Sequence, residues 1–160
     1  MLIQLLAIGD RAPEWVTEGF NSYAKRLRGK IKLQLVELPA PRRGHNADIT
    51  RLVYQEGQRL MAKAAPGVHV IALDLGGRTM TTENLAVRLT RWCQDGSNVT
   101  FLVGGADGLS REVLSEANEI WSLSKLTMAH FVVRVVIAEQ LYRAYSLMEG
   151  LPYHRTRRPD

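Results

Sequence analysis

A largely parallel α/β sheet with helices on both faces is the fold this sequence predicts, and three observations carry it. Apolar runs at 2–8, 68–75 and 99–103 are continuous enough for strands covered on both sides. Segments of helical periodicity, each roughly 10–15 residues long, alternate with them in the rhythm of a parallel sheet. Clustered glycines, Gly76-Gly77 and Gly104-Gly105, follow two of the runs, and open sheets meet their ligands at such strand ends.

Leu2 to Ile8 reads as the first strand, apolar except for Gln4. Pro13 and Glu14 suit the first turn of a helix, where a missing N–H costs little and negative charge is favoured. Trp15, Phe20, Tyr23, Ala24 and Leu27 recur at helical spacing, and Gly29 is a natural stop. Ile31, Leu33 and Leu35 alternate with Lys32 and Gln34 to give a second strand ending before Pro39.

Residues 39–47 (PAPRRGHNA) form a loop by their prolines, glycine and basic pair. Asp48 is placed to cap a helix whose buried stripe is Ile49, Leu52, Val53, Leu60, Met61 and Ala64. Pro66-Gly67 ends it, and Val68 to Leu75 is the third strand, followed by a glycine turn at 76–79. Leu85, Ala86, Leu89, Trp92 and Cys93 mark a third helix closed by Asp95-Gly96. The fourth strand is Val99 to Val103, and a long apolar helix begins near Phe131.

The chain has 160 residues, room for a full core in one domain spanning 1–160. A single cysteine, Cys93, excludes an internal disulfide and sits on an apolar face as a structural thiol. The amino terminus lacks a basic leader, and the best membrane candidate, 131–141, is interrupted by Arg134 and Glu139. A cytoplasmic protein is expected. The formal charge of +5 favours polyanionic partners, and Arg42-Arg43, Arg155, Arg157 and Arg158 concentrate it in one loop and the chain end.

The turn Gly104-Gly105-Ala106-Asp107-Gly108 invites a dinucleotide reading that fails on spacing. A G-x-G-x-x-G fingerprint would need glycine at Val103, and the acidic residue about 20 positions on is replaced by Ser124 and Lys125. No Gly-Lys-Ser/Thr phosphate cradle is present. A nucleoside-like cofactor without phosphates fits the turn better. His45, His69, His130 and His154 are scattered, no metal-binding spacing appears, and no G-x-S-x-G elbow suggests a hydrolase. His69 is expected to be a satisfied strand histidine. On the last helix Glu139, Gln140, Arg143 and Ser146 fall on one side, with Arg134 opposite among apolar residues. Such a charge is either paired or aimed into a site.

Four blocks agree in order and spacing: VGGADGLS (103–110), WSLSKLTMAH (121–130), VRVVIAEQLYRAYS (133–146) and PYHR (152–155). Together they resemble the ribosomal large-subunit pseudouridine N3-methyltransferases of the RlmH family, in the SPOUT class. The resemblance covers the whole chain. It implies a C-terminal trefoil knot, an exception to the rule that chains avoid knots. It also implies a homodimer, and S-adenosyl-L-methionine bound between three loops. By motif, those loops contribute Leu73, then Gly104 and Gly105, then Leu123, Ser124, Lys125, Leu126, Thr127 and Met128. The implied substrate is a pseudouridine in a stem-loop of 23S rRNA within the assembled ribosome, with no metal and no membrane involved.

Methylating an imide nitrogen requires alignment with the donor carbon and removal of the N3 proton. Tyr153, His154 and Arg155 are the candidate catalytic residues. His154 could take the proton, Tyr153 could stack on the base, and Arg155 could hold a phosphate or developing charge. A tail that only positions RNA is the competing reading. An RNA-binding module without catalysis is the alternative from charge alone, and a nicotinamide oxidoreductase is disfavoured by the failed fingerprint.

Overall fold

The computed structural model describes residues 1–155; the expected arginine contacts at 157 and 158 lie outside them. Five parallel strands form one sheet: β1 (Leu2–Ile8), β2 (Lys32–Leu38), β3 (His69–Thr79), β4 (Val99–Val103) and β5 (Glu119–Ser122), in the order β2-β1-β4-β3-β5. The helices are α1 (Glu14–Ala24), α2 (Ile49–Lys63), α3 (Thr82–Asp95), α4 (Arg111–Glu116) and α5 (His130–Met148).

Strand alternation sorts the core into two layers. Ile3, Leu5, Ala7, Phe101 and Val103 face α1, α3 and α5. Leu6, Ile8, Val70 and Leu102 face the other way, against Leu60 of α2 and Val113 of α4. Steps toward the β2 edge use helices of the first layer, and the β2-to-β3 and β4-to-β5 steps use α2 and α4 of the second. One crossover hand requires that pairing of direction and face. Asp48, Thr81 and Ser110 cap α2, α3 and α4 by accepting from the amides of Arg51, Asn84 and Val113.

Several expectations shift in detail. Helix α1 ends at Ala24, five residues before Gly29, although Leu27 is still buried. On α2 Ile49 is exposed, and the stripe is completed by Glu56 and Gly57, both buried. Gly57 has a steric reason: a Cβ there would lie 2.6 Å from Val113 Cγ2.

The largest correction concerns residues 76–79, expected as a turn. They continue β3, because β5 supplies a partner: Leu73 and Arg78 both register with Trp121 across a bulge, and Thr79 pairs with Ser122. Gly77 permits that approach, since a Cβ on it would meet the Trp121 backbone at 2.6 to 2.7 Å. Strand β5, four residues long, was not expected at all.

From β5 at one edge the chain must reach the carboxyl end of β1, where α5 begins. Segment 123–129 makes that passage over the ends of β3 and β4, three strand spacings or roughly 14 Å. Arg134 anchors the arrival. Its side chain is fully buried, donating Nη2 to the carbonyls of Ile8 and Gly9 and Nη1 to Glu37 Oε2, each at 2.8 Å. The charge expected to be paired or aimed into a site is thus paired within the chain. Ser146, placed by sequence in the polar strip, is buried and donates its hydroxyl to the Arg143 carbonyl at 2.7 Å.

Candidate cofactor and active site

Adjacent strands β3 and β4 send their chains to opposite faces, to α3 and α4, so a crevice opens at their carboxyl ends. Segment 123–129 roofs it. The result is a cavity of about 520 Å³, within the size range of small-molecule sites. Three segments line it: Leu73–Leu75 within β3, the turn from Gly104 to Gly108, and residues from Ser122 to His130.

The glycine turn is shaped by its own backbone. A Cβ on Gly104 would sit 2.4 Å from the Gly108 carbonyl, so only glycine allows the turn to close. Gly108 has φ of +78°, and its amide donates to the Gly105 carbonyl at 3.1 Å. The turn is tied outward by an ion pair between Arg43 and Asp107, bringing the basic loop to the cavity's flank. Beneath Gly105 lies Glu56, 2% exposed, with neither carboxylate oxygen hydrogen-bonded among the described residues. Burial raises its pKa, while nearby Arg43 opposes the rise.

Of the nine residues expected to hold a cofactor, eight line the cavity: Leu73, Gly104, Gly105, Leu123, Ser124, Leu126, Thr127 and Met128. Lys125 is exposed and does not line it. The sequence reading missed Asp74 and His130, both of which do. Asp74 Oδ2 accepts from the Gly76 amide at 2.8 Å, inside the bulge no local pattern announces. His130 was legible only as the last residue of the block 121–130.

Chemically the lining is selective. It contains no Lys or Arg, one carboxylate in Asp74, hydroxyls on Ser122, Ser124 and Thr127, and apolar surface from Leu73, Leu123, Leu126 and Met128. A phosphate would find no cation here. A cationic, phosphate-free nucleoside would find a carboxylate, backbone groups and flat apolar walls.

The chain end lies elsewhere. Tyr153 donates its hydroxyl to Glu139 Oε1 at 3.1 Å, and the Arg143 guanidinium stacks on its ring at 4.9 Å. Burial, with Tyr23 and Glu139 beside it, pushes the Tyr153 phenol up to about 12. Both ring nitrogens of His154 are engaged: Nδ1 with Arg143 at 3.3 Å and Nε2 with Glu83 at 3.2 Å. Arg155 is exposed. None of the three lines the cavity, and Glu139 stands six residues, about 9 Å of helix, beyond Val133 at its edge.

Away from the site, His69 and Cys93 are placed as the sequence suggests. His69 Nε2 meets Glu119 Oε1 at 2.8 Å. Burial raises the Cys93 thiol pKa, and its Sγ faces Met1 Sδ at 3.5 Å. Among the described residues there is no cluster of three potential metal ligands, and no helix is long and apolar enough to cross a membrane.

The parallel sheet and a cavity without Lys or Arg do not match a dinucleotide enzyme, and comparison with known proteins gives the class of the chain. A family model described as "Predicted SPOUT methyltransferase" matches residues 1–154, and the chain belongs to that family. Within it, the chain is 46% identical over 155 residues to a Pseudomonas putida protein named Ribosomal RNA large subunit methyltransferase H, covering 97% of this chain and all of that one. A protein of the same name from Pseudomonas savastanoi is 45% identical over the same shares. Among solved structures, a "probable methylase family protein" from Haemophilus influenzae superposes with a TM-score of 0.57 at 11% identity. That match covers 98% of this chain and 72% of the other, and it speaks for the fold alone.

Proposed function

We propose that this protein transfers a methyl group from S-adenosyl-L-methionine to N3 of a pseudouridine in a 23S rRNA stem-loop, acting on the assembled ribosome in the cytoplasm as a homodimer. The observation that carries the reading is the composition of the loop cavity: it holds a carboxylate and no cationic side chain of Lys or Arg type. The full-length likeness to proteins named for large-subunit rRNA methylation supplies the substrate class. When bound, the cofactor supplies an electrophilic methyl carbon on a sulfonium.

The chain's own residues do the rest. Backbone groups of Gly104 and Gly105 and of the 123–128 roof take the edges of the nucleoside. Leu73, Leu123, Leu126 and Met128 cover its faces, and Asp74 offers the negative charge. The roof's passage between β5 and α5 is the element we assign to the trefoil knot of the family. For the dimer, the supporting feature is α5, whose Val132 and Val136 remain only half-buried and give a second copy apolar surface to cover.

Tyr153, His154 and Arg155 are assigned to the RNA. A phenol that stays protonated can donate or stack but cannot serve as a base. Arg155, exposed beside it, suits a phosphate or the negative charge that develops on the base. The test is transfer of labelled methyl from the cofactor to ribosomes from a strain lacking the activity. Label at N3 of a 23S pseudouridine supports the reading; an unlabelled 23S rRNA overturns it.

A further inference from the structure

Removing the imide proton is faster with a base positioned at the cavity. Of the histidines within the described residues, His130 alone lines it. His69 is bound to Glu119 and His154 to Arg143 and Glu83. His130 opens α5, directly after the roof, and its Cε1 lies against Gly9 at the end of β1. Its Nδ1 is buried without a hydrogen-bond partner among the described residues. That leaves Nε2 as the nitrogen able to face a ligand.

We propose that His130 is a catalytic residue, the proton acceptor for the substrate's ring N–H, its imidazole set at the cavity rim with one nitrogen buried and the other free for the base.

The surroundings suit that role from each side. Arg134 lies one turn on along α5, its charge committed to Glu37 and the β1 carbonyls. Arg43 reaches in from the β2–α2 loop, paired with Asp107, and the Phe131 ring lies tilted against the imidazole with centroids 4.1 Å apart. Glu56 lies under the glycine turn, and Asp74 faces the cavity from β3. Burial, then Arg134 and Arg43, hold the His130 pKa below the ordinary histidine range. At neutral pH the ring therefore carries a free lone pair.

The step balances. The N3–H bond gives its proton to Nε2, and the nitrogen's electron pair forms the bond to the methyl carbon of the sulfonium donor. The carbon–sulfur pair stays on sulfur, and the imidazolium then releases its proton to water. The substrate class is a heterocyclic imide of the uracil type. This assignment rests on the proposed methyl transfer to RNA and deepens it.

The experiment compares the full-length protein with His130→Gln and His130→Asn in single-turnover transfer to ribosomes across pH, with calorimetry of S-adenosyl-L-methionine binding and NMR titration of the His130 ring alongside. The wild-type rate should rise through the pKa that NMR assigns to His130 and then level off. Both variants should bind cofactor within about threefold of wild type, lose about 10²–10⁴ in rate, and show a rate still climbing tenfold per pH unit as solvent takes the proton. Added imidazole should restore part of the loss. A variant profile that keeps the plateau, a wild-type profile that does not follow the NMR titration, or a loss matched by lost cofactor affinity each overturns the assignment. A wild-type protein that labels no RNA overturns the proposed function instead, and the NMR titration separates the two.

Discussion

Arg134 and Glu37 meet at 2.8 Å, ninety-seven residues apart in sequence, with the guanidinium fully buried. The pair joins the start of α5 to the ends of β1 and β2, so it fixes where the roof segment lands. Arg134→Met should cost about 3–5 kcal/mol by urea denaturation, because Glu37 and two strand carbonyls lose their donor together. Arg134→Lys should recover little of it, since one ammonium cannot reproduce the planar fork.

The glycine turn makes a graded prediction about cofactor affinity. Gly104→Ala drives a Cβ into the Gly108 backbone at 2.4 Å, whereas Gly105→Ala meets only the side chains of Ile8 and Glu56 at 3.2 to 3.3 Å. Calorimetry should show S-adenosyl-L-methionine binding weakened at least tenfold, about 1.4 kcal/mol, by the first change. The second should cost clearly less, because side chains can yield where backbone cannot.

Glu119 gathers His69, Arg88 and the Trp121 indole N–H at the edge of the sheet. Burial works to raise its pKa, but hydrogen bonds from Trp121, His69 and Arg88 outweigh it and leave the carboxyl below its usual range. A depressed folded pKa contributes stability above the unfolded value, lost as pH falls through the folded one. Glu119→Gln should therefore unfold about 1–3 kcal/mol more easily at neutral pH, with the gap closing in acid.

For Glu56 the sign reverses. Its raised pKa means the folded state grows less stable as pH climbs from the ordinary carboxylate range through the raised value, because the unfolded chain gives up its proton first. Glu56→Gln should flatten that decline and leave stability at neutral pH equal or higher by about 1 kcal/mol. Denaturation curves at several pH values measure it.

Removing residues 153–160 should abolish methyl transfer to ribosomes while cofactor affinity stays within about twofold, since the described part of the tail touches α3 and α5 and not the cavity. Transfer assays paired with calorimetry check this. A parallel loss of cofactor affinity would contradict a substrate-facing tail.

Strands β1 and β4 were legible because both faces are buried, which leaves an unbroken apolar run. Asp48 and Gly96 marked their helix ends through purely local chemistry. Residues 76–79 and β5 were not legible: two glycines read locally as a turn, and only pairing with a strand some 40 residues later makes them extended. The loops proposed for the cofactor came from motif likeness, and eight of the nine residues lie on one cavity. His130 and Asp74 escaped because their value depends on where α5 starts and where β3 bulges, which are both tertiary facts.

The most direct measurement is a crystal structure of the protein with S-adenosyl-L-methionine. The cofactor should lie among Leu73–Leu75, the Gly104–Gly108 turn and the 122–130 roof, with the methyl carbon on the side of the cavity bordered by His130. Density at any other place on the molecule, with this cavity left to solvent, would contradict the account.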